Sequence, residues 1–593
     1  MTFSDPHSYA DVEQGRTRHI DFTLAVDFAQ KTIRGTATYT IDRPVTGSFF
    51  LDTRDVKIEG VRGVSGEASD IAWELDAVDQ VMGQRLHLKD MPGLTHFTIN
   101  FKTAPGASAL QWLDPAQTAG GRHPYLFSQC QAIHGRSVFP CQDSPSVRFT
   151  YTAAVTVPAP LNAVMSAART AVDQDGTTTT CRFEMPQAIP SYLFAIAVGN
   201  LTHRDLGERS RIYAEPETID DGAREFAGTE KMITEAEKLF GPYIWDRFDM
   251  LLMPPSFPYG GMENPRLTFL TPTLVVGDRS MVNVVVHELA HSWTGNLVTN
   301  ATWEDFWLNE GWTVYAERRI LEILEGQDYA QLKGVLRRNS MLEDMKLFGF
   351  DSDPTKLNYS QKGIDPDEVF STIPYEKGAA FITLFEQAVG RDVFDPFIRQ
   401  YIETFKFQSL TTKGFVAFLE KELPAAAAKV NIDQWLYEPG FPDDAPHLES
   451  TLLQDVDALV AVFDAGRKPM PENVQGWKPE QIELFLKKLP EKIPAEDCRA
   501  FQELFGLKES RNNNHLVAYY CTAIRSGCEE ALAGVEKILS TVGRMLYLKP
   551  LYRALVETEW SKPKARTLFE HNRAAYHPIA AGGIERILKE AGL

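Results

Sequence analysis

Val286-His287-Glu288-Leu289-Ala290-His291-Ser292-Trp293 sets two histidines four residues apart, with a glutamate directly after the first. On an α-helix such residues share a face, so both imidazoles can ligate one Zn²⁺ while Glu288, one step round from His287, can reach a water beside the ion. Helical spacing from Asp278 to Thr294 predicts that helix. A second helix is predicted from Trp303 to Glu325, stopped by Gly326 as a C-terminal cap. It carries Trp307-Leu308-Asn309-Glu310-Gly311-Trp312, with eighteen residues between His291 and Glu310, and can bring Glu310 back to the metal as a third ligand. Two histidines and one glutamate leave the fourth position open for water, the pattern of catalytic rather than structural zinc. The expectation is one Zn²⁺ per chain, with Glu288 as general base in a metal-assisted hydrolysis.

Just upstream stands Tyr259-Gly260-Gly261-Met262-Glu263-Asn264-Pro265. Beside the zinc motif, this stretch makes the chain resemble the zinc aminopeptidases of the gluzincin type. Three further segments narrow the resemblance to the family of leukotriene-A(4) hydrolase and its bacterial and fungal aminopeptidase relatives. They are Phe127-Ser128-Gln129-Cys130-Gln131-Ala132-Ile133-His134, Pro140-Cys141-Gln142-Asp143-Ser144-Pro145-Ser146-Val147 and Ile373-Pro374-Tyr375-Glu376-Lys377-Gly378. The likeness spans nearly the whole chain. It implies a multidomain α+β architecture: a saddle-like N-terminal β-sheet domain, a thermolysin-like zinc catalytic domain and a C-terminal α-helical, solenoid-like domain.

The resemblance also assigns roles. Glu263 would bind the free α-amino group of a short peptide, while Gly260, Gly261 and Met262 let the extended substrate approach backbone to backbone; an exopeptidase needs such a carboxylate at a fixed distance from its metal. Gln131 would contribute to the same N-terminal pocket. Tyr375 would donate a hydrogen bond to the tetrahedral intermediate, which a phenol with a pKa near 10 can do at neutral pH without losing its proton. Arg544, in Val542-Gly543-Arg544-Met545, would bind the carboxylate end of the peptide through its planar fork. Asp367 matches an aspartate that helps select a basic first residue and directs water in an epoxide reaction. Two positions depart from the mammalian pattern: Phe370 replaces a second active-site tyrosine and Leu546 a lysine that assists carboxylate binding.

The leading function is therefore hydrolysis of the N-terminal peptide bond of short peptides, with a weak lean toward Arg or Lys as first residue. An epoxide hydrolase acting on a fatty-acid epoxide such as leukotriene A(4) would use the same zinc, but Phe370 departs from what it needs. A non-catalytic peptide-binding scaffold sits poorly with a chain that retains all three zinc ligands and Glu288.

Away from the motifs, alternation of apolar residues at Ile20, Phe22, Leu24, Val26 and Phe28, then Ile33, Gly35, Ala37, Tyr39 and Ile41, predicts strands. Phe149 to Val157 repeats the pattern, and the Thr-rich stretch from Thr177 to Phe183 favours strand too. After about Asn200 helical spacing takes over, first from Ala223 to Leu239. A breaker-rich passage at 438–446 reads as a linker, and only short amphipathic helices follow, including Pro479 to Lys488, Ala495 to Phe505, Leu516 to Ser526 and Cys528 to Ser540. At roughly 150 residues per domain, 593 residues allow about four units, and motif order reduces this to three: 1–199, 200–443 and 452–593.

Sixty basic against 80 acidic side chains leave a formal charge of −20, which repels nucleic acid and anionic membranes, and no local basic patch interrupts it. Six scattered cysteines without a CxxC pair do not make a disulfide framework. The opening Met-Thr-Phe-Ser-Asp-Pro-His lacks a basic start and apolar run, so a cytoplasmic monomer is expected unless a leader was removed.

Overall fold

The alternating stretch from Ile20 to Ile41 forms two antiparallel strands, Thr17–Asp27 and Thr32–Thr53, with Ile20, Phe22, Leu24, Val26, Ile33, Ala37, Tyr39 and Ile41 on the buried face. This is seen in a computed structural model that describes residues 4–64 and 70–593; residues 1–3, which begin the segment read for a leader, and 65–69 lie outside the described residues. The two strands sit in the middle of an eight-stranded sheet. On one side follow Gln84–Lys102 and Lys57–Gly63, on the other Arg148–Pro158, Thr178–Pro190 and Ala168–Gln174, while Trp73–Leu75 pairs off the main path. The pair Thr17–Asp27 and Arg148–Pro158 is parallel, so residues near 16 and 148 meet at one end of the sheet. Register shifts between Thr40 and Phe49 mark bulges, which bend long strands. A second sheet of four short strands, Leu110–Leu113, Tyr125–Ser128, Ile196–Gly199 and Asn162–Met165, carries the 127–134 segment toward the middle of the molecule.

The region after Asn200 is not purely helical. A five-stranded sheet runs in the order Thr202–Asp205, Ser210–Ala214, Phe248–Leu252, Thr268–Leu270 and Gly261–Met262. Its strands are two to five residues long, and Phe248–Leu252 is buried at every position, so there is no alternation for a sequence pattern to catch. The helix predicted from Ala223 to Leu239 is two helices, Ile219–Glu225 and Thr229–Phe240, parted at Gly228. The HExxH helix is shorter than its apolar pattern, Asn283–Ala290, with turns on both sides. Helix Trp307–Glu325 follows one 3₁₀ turn and ends at Gly326, whose φ of 94° favours glycine.

Helices Trp307–Glu325 and Ile373–Val389 cross at backbone contact. A Cβ on Gly311 would lie 2.8 Å from the Cα of Gly378, and one on Gly378 would lie 2.9 Å from the Cα of Gly311. Two glycines thus bring Glu310 and Tyr375, each within a turn of the crossing, to the same place.

Residues 438–450 carry no regular structure, and eight α-helices follow from Thr451–Asp464 to Pro578–Glu590. Alternate helices pack side by side: Pro479–Lys488, Asn513–Arg525, Met545–Val556 and Pro578–Glu590 form one layer, and Leu532–Thr541 with Lys562–Asn572 belong to the other. That is the solenoid-like arrangement. One continuous apolar core joins the β domain to the zinc domain from Ile20 to Leu436, and a second fills the helical domain, borrowing Leu332 and Leu336 from helix Gln327–Phe348. Among the described residues no helix is long and apolar enough to cross a membrane.

Candidate active site

One turn of helix places His287 and His291 on a common face, with their Nε2 atoms 3.1 Å apart. Glu310 Oε2 lies 3.4 Å from His287 Nε2 and 3.5 Å from His291 Nε2. This carboxylate oxygen is buried and has no hydrogen-bond partner. A buried, orphaned anion facing two imidazole nitrogens fits a divalent cation, and two nitrogens with one oxygen are a zinc donor set. The far sides of the imidazoles are held as well: His287 Nδ1 is 3.0 Å from Glu317 Oε2, and His291 Nδ1 lies 3.2 Å from the Thr294 carbonyl and 3.1 Å from Thr313 Oγ1. Burial, with His287 beside it, keeps the His291 imidazole neutral, the form that binds metal. Glu317 escaped the sequence reading although it sits seven residues after Glu310, two turns along the same helix. Burial alone would raise its carboxyl, but the hydrogen bond and charge of His287 hold it below the usual range. Glu317→Gln is expected to weaken zinc binding ~10–100-fold, measured by competition with a chelator, because it replaces the charged acceptor that orients His287 with a neutral amide.

Glu288 and Glu263 complete the cluster. Oxygens of both lie within 4.8 Å of a His291 ring nitrogen and of each other. Burial, opposed by His287 and reinforced by Glu310 and Glu317, pushes Glu288 up to about 8. Burial, with Glu310 and Glu288 close by, raises Glu263 well above the ordinary range. No basic side chain forms an ion pair with either among the described residues; the nearest polar partner of Glu263 is Gln131, whose Nε2 is 3.5 Å from Oε1. The Asn296 amide holds the Glu263 carbonyl at 2.6 Å and fixes the loop.

The glycines of the 259–265 loop are space for these groups. A Cβ on Gly261 would lie 2.3 Å from Glu288 Oε1, and one on Gly260 would lie 2.5 Å from Arg544 Nη2. Met262 is buried, its sulfur accepting from Gln129 Nε2 at 3.0 Å. Arg544 comes from the helical domain, where Gly543 N and Met545 N donate to the carbonyls of Pro255 and Pro258. Its Nη1 reaches Tyr547 Oη at 3.1 Å and Thr273 Oγ1 at 3.4 Å, its Nε is buried without a partner, and no carboxylate pairs with it among the described residues. Leu546 is exposed.

Tyr375 packs its ring 6.1 Å from that of His287 and 6.0 Å from that of Phe306. Burial and then the charges of Glu310 and Glu263 raise its phenol well above 10, so it keeps its proton. Phe370 stands between Tyr259 and Tyr375, with ring centroids 5.6 and 6.2 Å away. Phe370 helps to wall a narrow recess of about 40 Å³ together with Gln131, Phe306, Tyr359 and Asp367. Asp367 bonds not to a site residue but to His134, 2.8 Å away. Burial would raise the Asp367 carboxyl, but the charge and hydrogen bond of His134 hold it below the usual carboxylate range, so it faces the recess ionised.

Residues 16–193 match the family model described as Peptidase M1 N-terminal domain, residues 224–436 the Peptidase family M1 domain, and residues 477–588 Leukotriene A4 hydrolase, C-terminal. The chain is 38% identical to leukotriene A-4 hydrolase of Xenopus laevis over 600 residues, covering 97% of this chain and 98% of that protein. It is 36% identical to leucine aminopeptidase 2 of Sclerotinia sclerotiorum over 610 residues, covering 99% and 100%. Yeast LTA4 hydrolase in complex with bestatin has the same fold, with a TM-score of 0.91 at 33% identity over 99% of this chain and 97% of that one. A donor set that suits zinc, three-domain order and whole-length similarity agree: the chain belongs to peptidase family M1, a family of zinc metallopeptidases, in the branch that carries the leukotriene A4 hydrolase C-terminal domain.

Proposed function

We propose that this enzyme is an aminopeptidase that removes the first residue from short peptides with a free N-terminus, using one zinc ion per chain held by His287, His291 and Glu310. The supporting observation is Glu263. A buried carboxylate with no cationic partner among the described residues, clustered with Glu288 and His291, is a socket for a substrate ammonium group. When bound, zinc supplies Lewis acidity toward the attacking water and the scissile carbonyl. Glu288 takes the water proton and returns it to the leaving amine, and its buried setting keeps its proton affinity near the working range. Tyr375 donates its phenol proton in a hydrogen bond to the developing oxyanion. Gln131 shares the ammonium site with Glu263, while Gly260, Gly261 and Met262 line the path of the substrate backbone. At the far end Arg544, with its buried unpaired Nε, takes the peptide carboxylate.

The recess beside Tyr375 is walled mainly by apolar groups, with Gln131, Lys356, Tyr359 and Asp367 among them as the polar groups that can select a peptide side chain. Asp367 favours Arg or Lys as the first residue, with Phe370 packing on the aliphatic stem. The same reading takes 1–199, 200–443 and 452–593 as the domains and the protein as a cytoplasmic monomer without nucleic-acid or membrane partners. The charge of −20 and six buried free cysteines support it.

A panel of aminoacyl arylamides tests the function. Arylamine release is expected to be fastest from Arg and Lys, to stop with a chelator and to return with added zinc, while N-acetylated substrates are cleaved far more slowly. Equal cleavage of acetylated and free substrates overturns the exopeptidase reading.

A further inference from the structure

No basic patch is visible along the sequence, yet the fold assembles one. Parallel pairing of Thr17–Asp27 with Arg148–Pro158 brings Arg16, Arg18 and Arg148 to one end of the sheet, where they line a second pocket of about 360 Å³. The opposite wall is Phe407 to Thr411 of the zinc domain, so the pocket lies between two domains. None of its lining residues is acidic, in a chain with twenty more acidic than basic side chains.

Arg148 is only 6% exposed, and no carboxylate pairs with it among the described residues. Its Nε and Nη2 donate to the Ala188 carbonyl at 3.1 and 2.9 Å, and Nη2 also donates to the Asn296 carbonyl at 2.7 Å, but Nη1 is buried with no partner. Burial pushes this guanidinium down to about 10. Arg16 Nε is likewise buried and unpaired. Of the three arginines, Arg18 alone has a carboxylate, Asp42 at 3.6 Å, which Arg43 also shares. Thr411 caps helix Thr412–Glu422, so the positive end of that helix dipole adds to the wall, although Asp305 takes the Thr412 N–H. The ring of Phe407, 5.8 Å beneath the Arg148 guanidinium, supplies an apolar side.

We propose that this interdomain pocket is a binding site for a phosphate group, free or carried on a small molecule, held by Arg16, Arg18 and Arg148. A buried guanidinium with an unused donor costs free energy until an anion completes it; Arg148 has Nη1 left to offer, and the planar forks of Arg16 and Arg18 match a tetrahedral oxyanion. The site is separate from the zinc centre but only one residue away. The Asn296 whose carbonyl Arg148 holds also binds the Glu263 carbonyl through its side chain and the His291 carbonyl through its N–H.

Calorimetric titration of the zinc-loaded protein with inorganic phosphate and with phenyl phosphate, at ionic strength matched with potassium chloride, tests the site. Both are expected to bind at one site; tighter binding of phenyl phosphate identifies an ester as the ligand, and tighter binding of inorganic phosphate identifies the free ion. Arg148 holds two backbone carbonyls, so the test variant is Arg16→Gln/Arg18→Gln, which leaves them intact. It is expected to weaken binding at least ~10-fold, the loss of one charge-assisted hydrogen bond. Arg544→Gln, near the zinc, is expected to bind phosphate like the parent. No binding by the parent protein, unchanged binding by the double variant, or loss confined to Arg544→Gln overturns the proposal. None of these outcomes depends on whether the enzyme cleaves peptides.

Discussion

Glu288→Gln is expected to lower kcat by about 10²–10⁴-fold while zinc stays bound at the same stoichiometry. The substitution keeps the shape that the fold demands. Gly261 lacks a side chain where Glu288 Oε1 lies, and an amide fills that space as the carboxylate does, whereas alanine would leave a void. Glu288 has no ion-pair partner among the described residues, so the amide breaks none. What disappears is the ability to accept a proton from water and pass it to the leaving amine. Metal analysis and steady-state kinetics on the same preparation separate the two effects. Full activity with full zinc would remove Glu288 from the role of base, and loss of zinc would make it a structural residue.

Much of this was legible because helical geometry is local. Residues four apart share a face, so HExxH states its own ligand arrangement, and the strand alternation from Ile20 to Ile41 states which face is buried. What stayed hidden depends on contacts between distant segments. The five-stranded sheet between Thr202 and Leu270 has short strands, and its inner strands Phe248–Leu252 and Thr268–Leu270 are buried at every position, so they lack period two. Glu317 has an ordinary surface-helix spacing and acquires its role only when His287, thirty residues earlier, turns Nδ1 toward it. His134, in a segment quoted for family resemblance alone, is what holds Asp367 ionised at the recess. The glycines are the most instructive case. In the sequence Gly260 and Gly261 read as room for a substrate backbone, whereas in the fold they are also the room left for Arg544 and Glu288, which come from another domain and another helix. The pocket of Arg16, Arg18 and Arg148 was invisible for the same reason, since 130 residues separate its two halves.

Glu263→Gln is expected to lower kcat/KM for free-amine substrates by roughly 10²–10⁴-fold, the equivalent of about 3–5 kcal/mol for a desolvated charge left without its partner. Glutamine preserves the side-chain volume and the contact with Gln131, and the loop remains tied through Asn296, so the zinc cluster should keep its geometry. The informative quantity is selectivity. On the proposed reading the Glu263 carboxylate is the buried group whose charge complements a substrate ammonium, and discrimination between free and N-acetylated peptides rests on it. Once that charge is gone an acetylated substrate leaves no ammonium stranded, so the ratio of kcat/KM values should fall toward unity while the absolute rate on acetylated peptides changes little. An equal loss on both substrates would instead mean that Glu263 acts by shaping the zinc site. Glu288→Gln, which removes the base and leaves the socket, should depress both substrates without narrowing their ratio, so the two variants together assign chemistry to one carboxylate and register to the other.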